Sequence, residues 1–274
     1  MPPRKSSAGL WGVRLHQSLS FSPLFMQILA GGGERAFFPG CSMAGHSSGL
    51  VRSVYEWLRT ADSRMGLASA CCGHPTLCLG GGEPFREYQE RLARSLSRAG
   101  IGELVVCCPN CAGTLQGLAG VEVLSIWSLL DRMKVVFPVK RGGAYVLHDP
   151  CPTRDDPETQ RAFRRVMERN GVSWEEYPSH GVRAICCGKR DMLMVLDPGR
   201  GRKILERRIA ESPNRNVLTY CFSCVQSFAS AGCQSVHGLE LLFGASDAER
   251  GGVWANRCRT ALWAMRARAG GRGL

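Results

Sequence analysis

The sequence lacks several signatures, and each absence removes a class of function. None of its apolar runs approaches the roughly 18–20 residues that a membrane-spanning helix needs, so no direct membrane span is expected. Residues 10–30 are only weakly apolar and are interrupted by Arg14, His16, Gln17 and Pro23, which fits neither a secretory signal nor a span. There is no G-x-G-x-x-G after a strand, hence no flavin or nicotinamide site of the dinucleotide-fold kind. The C-x-x-C-x-x-C run of an ordinary ferredoxin is also missing. Lysine is scarce: the formal net charge of +12 comes almost entirely from scattered arginines, with no basic run interleaved with aromatics. Metal-bound thiolates would cancel part of that charge, so no nucleic-acid partner is expected.

Cysteine is what the chain has. Fourteen occur, and ten of them form two matching sets. The first set is Cys41, Cys71-Cys72-Gly73 and Cys108-Pro109-Asn110-Cys111. The second is Cys151, Cys186-Cys187-Gly188 and Cys221-Phe222-Ser223-Cys224. Between the leading cysteine and the doublet lie 29 residues in one copy and 34 in the other; between doublet and C-x-x-C lie 35 and 33. Such self-similarity marks an internal duplication.

The 274 residues, 44% hydrophobic and 21% charged, suffice for two globular domains with ordinary cores. A disulfide scaffold is usually short and secreted, so metal ligation in a reducing, cytoplasmic setting is the better reading of the cysteines. The pattern divides the chain into a leader, 1–34, expected to be disordered and with Met26 as an alternative start to Met1; a first cysteine domain, 35–140; a linker at Lys140-Arg141-Gly142-Gly143; a second domain, 144–245; and a basic C-terminal helix and tail, 246–274. Buried strands are expected at 35–41, 104–106, 121–124, 144–147 and 217–220, with helices after Ser47 or Ser48 and over 84–99, 157–170 and 202–212. Strands alternating with helices predict an α/β fold, duplicated into two pseudo-twofold-related halves with mainly parallel sheets. The cysteines would sit in loops at strand ends, where helix N-termini offer N–H groups to an anionic cluster.

A structural zinc takes four ligands, commonly from two C-x-x-C pairs. Here each half has one such pair, an adjacent doublet and a fifth thiol. Five cysteines from three distant segments point instead to an iron–sulfur cluster of unusual ligation, with a zinc or redox-disulfide protein as an alternative. Cys107, Cys78, Cys233 and Cys258 have no partners in the repeat and read as packing residues.

The doubled motif, with its local strings Phe38-Pro39-Gly40-Cys41, His148-Asp149-Pro150-Cys151 and Ala184-Ile185-Cys186-Cys187-Gly188, resembles the CCG-domain (cysteine-rich domain) family over residues 35–243. That family includes the disulfide-cleaving subunit of heterodisulfide reductase and the related iron–sulfur subunits of anaerobic glycerol-3-phosphate dehydrogenase and of lactate utilisation. The resemblance implies two noncubane 4Fe-4S clusters, one held by Cys41, Cys71, Cys72, Cys108 and Cys111, the other by Cys151, Cys186, Cys187, Cys221 and Cys224. It implies an oxidoreductase acting on a disulfide, thiol or similar small molecule, within a complex whose flavoprotein or ferredoxin-type iron–sulfur subunit exchanges the electrons and through which it could meet a membrane. The alternative is a non-catalytic electron-transfer subunit of a membrane-associated dehydrogenase.

Beyond the clusters, the candidate catalytic residues are His148, Lys189 and Arg190. Lys189, Arg190 and Arg154 could clamp an anionic substrate, or simply form a solvated basic surface. His148 could hydrogen-bond a cluster sulfur or substrate, or be a structural histidine before a turn. The duplication further predicts that the two sites face one cleft with substrate between them. The basic C-terminal helix could dock on a partner or lie exposed.

Overall fold

In a computed structural model that describes residues 7–139, 143–244 and 252–269, short strands alternate with helices along the whole chain. The elements run α1 (Ser7–Ser20), β1 (Gln27–Leu29), β2 (Arg35–Phe38), α2 (Gly40–His46), α3 (Ser48–Ala61), β3 (Gly66–Ser69), α4 (His74–Cys78), α5 (Gly82–Arg98), β4 (Glu103–Val106), α6 (Pro109–Leu115), β5 (Glu122–Ser125) and α7 (Ile126–Arg132). They continue with β6 (Tyr145–His148), α8 (Pro157–Arg169), β7 (Trp174–Glu176), α9 (Leu193–Leu196), α10 (Pro198–Ala210), β8 (Asn216–Thr219), α11 (Phe222–Ser230), β9 (Gln234–His237), α12 (Gly238–Phe243) and α13 (Val253–Ala269). Single 3-10 turns occur at Cys151–Thr153, Gly181–Arg183 and Arg190–Met192. The described residues fall into two compact units, one drawn from 14–126 and 245–274, the other from 1–13 and 127–244.

The duplication read from the cysteines is also a duplication of topology. The first unit's sheet has the order β1-β3-β2-β4-β5, and the second unit's sheet has the order β7-β6-β8-β9. Setting β1 aside, the two orders are the same, and every pairing within them is parallel. Parallel strands are covered on both faces and so read as continuous apolar runs. Phe37, Phe38, Leu104, Val105, Leu147, Val217 and Leu218 are accordingly shut away from solvent. Each such side chain contributes about 1.5–3 kcal/mol by leaving water.

The helices begin where their caps say they should. Ser47 accepts the Leu50 N–H at 3.0 Å and starts α3. Asp156 accepts the Thr159 N–H at 3.0 Å, with Pro157 in the first turn of α8. An uncapped first turn leaves orphan donors, which these side chains satisfy.

Three expectations need correction. The leader, expected to be disordered, is ordered from Ser7: α1 forms, and β1 pairs antiparallel with β3 through Gln27↔Ser69, Ile28↔Ala68 and Leu29↔Leu67. Tertiary contacts hold it, since Phe21 stacks on Tyr88 at 3.8 Å between ring centroids. The division between the units falls at 126/127 rather than near 140; of the proposed linker, residues 140–142 lie outside the described residues. The C-terminal helix is not a free basic helix. It packs on α2 and α3 within the first unit, where Asn256 donates to the carbonyls of Gly45 (3.2 Å) and His46 (3.0 Å). Arg257, also buried, reaches Nε2 of His16 at 2.7 Å and the Ser20 hydroxyl at 2.7 Å. The tail after 269 lies outside the described residues. Among the described residues no helix is long and apolar enough to cross a membrane.

Candidate metal centres

In the first unit three chain segments deliver five sulfurs to one place. Cys41 enters α2 directly after the turn that ends β2. Gly40 makes that turn with φ +72°, a conformation costly for any residue with a Cβ, and a Cβ there would stand 3.0 Å from Cys111 Sγ. Cys71 and Cys72 follow β3, and Gly73, left-handed at φ +82°, starts α4. Cys108 caps α6 at the end of β4, and Cys111 lies in the first turn of that helix.

The sulfurs touch in an unbroken order. Cys41 and Cys71 are 3.8 Å apart; Cys72 is hydrogen-bonded to both Cys71 and Cys111, and Cys111 to Cys108. The second unit repeats that order at equivalent positions. Cys151 and Cys186 are 3.6 Å apart, and hydrogen bonds link Cys186 to Cys187, Cys187 to Cys224, and Cys224 to Cys221. All ten are cysteines outside any disulfide, and all are buried except Cys41, which is half-buried.

The glycine amide after each doublet also matches, and a second, non-equivalent amide points at each doublet. The N–H of Gly73 donates to Cys71 Sγ at 3.4 Å, and that of Gly188 to Cys186 Sγ at 3.2 Å. The N–H of His74 turns toward Cys72, and that of Arg190 toward Cys186. Outer contacts fix the doublets in place. The Tyr88 hydroxyl donates to the Cys71 carbonyl, Gln89 to the Cys72 carbonyl at 2.7 Å, and Ser227 to the Cys187 carbonyl at 2.6 Å.

In one respect the second site departs from expectation: its doublet does not leave a strand. Cys186 and Cys187 lie in an irregular stretch between the 3-10 turns at Gly181–Arg183 and Arg190–Met192. β7, the counterpart of β3, ends at Glu176, so side chains must hold this stretch instead. Arg154 does so through the carbonyl of Ala184, which its Nε reaches at 2.8 Å. Asp149, fully buried, accepts the N–H of Gly181 at 2.8 Å and the Tyr220 hydroxyl at 2.7 Å.

Proton affinities in the two sites follow from crowding. Hydrogen bonds from Cys111 and Cys71 pull Cys72 down to about 5. Cys151 and Cys187 do the same for Cys186, which falls to about 2. The other thiols with a resolved change move upward. Cys187 reaches about 12, driven first by Cys186 and then by burial; Cys41, Cys111, Cys151 and Cys224 rise through their cysteine neighbours and burial. Cys71 is drawn down by Cys41, but Cys72 and burial outweigh that and lift it to about 12. In each site one thiol of the doublet is thus drawn down while the other doublet thiol and the leading cysteine are pushed up. Five buried thiolates cannot coexist without a cation among them.

That donor set fits an iron–sulfur group. The ligands are soft, dry and close together, and backbone N–H groups point at the sulfurs. A single zinc would use four of the five and leave a buried thiol over.

The remaining candidates are placed as follows. Lys189 is half-buried and donates to Gln226 at 3.4 Å, while Arg190 is exposed and pairs with Asp191 at 3.2 Å. Arg154 is committed to Ala184 rather than to an open anion site. His148 is fully buried and has a ring nitrogen within 4.8 Å of the sulfurs of Cys187 and Cys224. Cys107 and Cys233 are core residues, and Cys258 is exposed on α13. Cys78 meets His74 Nε2 at 3.4 Å, and His74 Nδ1 meets the Thr114 hydroxyl at 3.1 Å. His180 Nδ1 lies 2.8 Å from the Tyr177 carbonyl, which makes it structural.

Sequence reasoning missed Gln17. Its amide lies 3.8 Å from Cys71 Sγ and accepts the Thr76 hydroxyl at 3.0 Å. It also lines a cavity of about 890 Å³ between α1 and α5, with Arg14, Phe21, Thr76, Tyr88 and Arg91. No sequence signal marked it, because the leader has no motif. Asp149 was visible as part of a motif but carried no assigned role.

Comparison with known proteins gives one informative match. A family model described as CCG, cysteine-rich domain, matches residues 35–116 and 145–229. No curated protein matches the chain. Among solved structures, the aspartate racemase of Picrophilus torridus is similar at 13% identity over 83% of this chain and 100% of that one, with a TM-score of 0.37. An aspartate racemase homologue from Pyrococcus horikoshii OT3 is similar at 11% identity over 77% of this chain and 96% of that one, with a TM-score of 0.31. Likenesses this loose carry no argument about activity.

Proposed function

This chain belongs to the CCG, cysteine-rich domain family, and on that premise we propose that it is an iron–sulfur redox protein with one noncubane four-iron cluster in each five-cysteine site. The observation that carries the reading is the repeated order of sulfur contacts, Cys41–Cys71–Cys72–Cys111–Cys108 and Cys151–Cys186–Cys187–Cys224–Cys221. Two independent packings of five thiols in the same sequence of contacts are hard to account for by core packing alone.

We assign it a catalytic role like that of the disulfide-cleaving subunit of heterodisulfide reductase, on a disulfide, thiol or similar small substrate. When bound, the clusters supply one-electron redox chemistry and iron atoms able to accept a thiolate. The chain supplies the rest. The ten cysteines hold the group, and the N–H groups of Gly73, His74, Gly188 and Arg190 offset its negative charge. Tyr88, Gln89, Ser227, Arg154 and Asp149 fix the loops that carry the ligands. The surrounding core keeps water out. Without a dinucleotide motif of its own, the chain takes its electrons from a partner subunit bearing flavin or ferredoxin-type clusters.

Anaerobic purification tests the cluster reading directly. The expected product is brown, with about eight irons and matching acid-labile sulfide, four per site. Stoichiometric zinc without sulfide would overturn it. Turnover of a low-molecular-weight disulfide by the reduced protein supports the catalytic role, whereas electron transfer without any substrate bound to this chain assigns it to the relay class.

A further inference from the structure

Among the buried positions at which the two cysteine sites differ, one lies three residues before the leading cysteine. Cys41 and Cys151 are equivalent, and three residues before them stand Phe38 and His148. Both side chains are fully buried at the ends of the matching strands β2 and β6. The first site therefore has an apolar ring where the second has an imidazole.

The partners of that imidazole fix its chemistry. Arg208 Nε donates to His148 Nδ1 at 3.1 Å. A guanidinium has donors only, so Nδ1 must be the acceptor and carry no proton. The proton of the neutral ring is then on Nε2. Arg208 is held firmly in this role. It is fully buried, lies 3.7 Å over the ring of Tyr177 and donates to the Ser179 carbonyl at 2.8 Å. His148 itself packs edge-on against Phe228 at 4.9 Å between ring centroids, which limits rotation.

Nε2 of His148 is buried and has no hydrogen-bond partner in the protein. An unpaired buried N–H costs about 1–3 kcal/mol and is rarely retained without an acceptor. Two cysteine sulfurs lie nearby. A ring nitrogen of His148 lies within 4.8 Å of both Cys187 Sγ and Cys224 Sγ, and Nδ1 is already taken by Arg208. The cluster of His148, Cys187 and Cys224 resembles a mixed nitrogen–sulfur metal site, but the tautomer rules that out. A histidine that ligates through Nε2 needs its proton on Nδ1, facing an acceptor. Here Nδ1 faces a cation.

We propose that His148 is not a metal ligand but a fixed N–H donor to the sulfurs of the second site, and that it raises the reduction potential of the second centre above what the Phe38 arrangement would give. The inference rests on the reading of both sites as iron–sulfur centres. A hydrogen bond to cluster sulfur stabilises the more negative, reduced state and so raises the potential. At the matching place the first site has Phe38, which donates nothing; its side-chain donor is the Gln17 amide, 3.8 Å from Cys71 Sγ.

The test is a reductive titration of the full anaerobic protein, followed by paramagnetic resonance, after iron and sulfide have been measured. His148→Phe copies the residue of the first site. It is expected to keep the full iron and sulfide content, to lower one of the two midpoint potentials and to leave the other where it was. His148→Gln keeps an N–H for the sulfurs and an oxygen for Arg208, and is expected to restore the midpoint. Loss of half the iron in both variants would make His148 a ligand and overturn the proposal. Two unmoved midpoints with full iron would make it a packing residue and overturn it equally. Should the Phe variant not fold, wild-type protein carrying isotope-labelled histidine decides the matter. A weak nitrogen coupling with an exchangeable proton supports the donor, whereas a strong coupling of a bonded nitrogen, or none, overturns it. A wild-type protein that holds zinc and no sulfide fails at the first measurement; that outcome overturns the cluster reading itself and is distinct from every result above.

Discussion

Arg164 grips both carboxylate oxygens of Asp149, at 3.1 and 2.8 Å, two residues before the first cysteine of the second site. The carboxylate is fully enclosed, and its other bonds go to Gly181 and Tyr220. Burial alone would push its proton affinity up, but Arg164, Gly181 and Tyr220 outweigh that and hold it below the ordinary carboxylate range. Asp149 thereby ties the turn that presents Cys151 to the stretch that leads into Cys186. Asp149→Asn should destabilise the metal-free protein by about 3 kcal/mol, since removing one partner of a buried pair strands the other. The check is the denaturant midpoint, and a change within about 0.5 kcal/mol, as for an ordinary surface substitution, would deny Asp149 this role.

Each site draws its five sulfurs from its own unit, so the two should fail separately. Cys72→Ala and Cys187→Ala are each expected to halve the iron content and leave the remaining centre's spectrum intact. Iron analysis with resonance spectroscopy checks this. Loss of both centres in a folded variant would contradict it.

The glycines after the doublets should not tolerate substitution equally. Gly73 and Gly188 both sit at positive φ, +82° and +84°, which alone costs alanine about 1–2 kcal/mol. At Gly73 a new Cβ meets the Phe85 ring at 2.9 Å, and that side chain can swing aside. At Gly188 it meets the backbone oxygen of Gly201 at 2.3 Å, which cannot. Gly188→Ala is expected to cost about 3–5 kcal/mol and Gly73→Ala about 1–2 kcal/mol. Equal costs in thermal unfolding would refute the distinction.

Loading with metal must expel protons. Cys71 and Cys187, both lifted to about 12, are protonated at neutral pH and have to ionise when they ligate. Apparent affinity for cobalt(II), used as a spectroscopic probe, should therefore rise with pH. The metal-free protein should behave in the opposite sense. A thiol whose folded value lies above its unfolded value stabilises the fold below the unfolded value, and that contribution is lost as pH climbs toward the folded one. Its stability should fall between about pH 9 and 12, the window set by an ordinary thiol and the two raised ones. A pH-independent cobalt affinity would contradict the shared-proton account.

Gln17 shields Cys71 from the cavity between α1 and α5. Gln17→Ala should cost about 1–2 kcal/mol by stripping the Thr76 hydroxyl of its acceptor. It should also speed bleaching of one centre in air, read as a faster phase of visible-absorbance decay. An unchanged bleaching rate would remove Gln17 from the site.

Much of this was legible in the sequence, for identifiable reasons. The ten cysteines announced themselves by register, and β2, β4, β6 and β8 by uninterrupted apolar residues that only a two-sided core requires. β7 (Trp-Glu-Glu) and β9 (Gln-Ser-Val-His) were not legible, because edge strands expose polar residues and lose the pattern. The leader defeated composition-based reading, since α1 and β1 owe their order to partners distant in sequence, such as Tyr88 and the residues of β3. The donor role of His148 depends on Arg208, sixty residues away, and no local string contains that information.

The return of α13 to the first unit also sets a timetable. Residues 14–126 leave the ribosome before any of 127–244, yet Asn256 and Arg257, which close the first unit against Gly45, His46, His16 and Ser20, are translated after all of them. The five cysteines of the second site all lie within 127–244. The cysteines of the first site are therefore translated before those of the second, but the unit that carries them gains its last helix only after the second site's residues have been made.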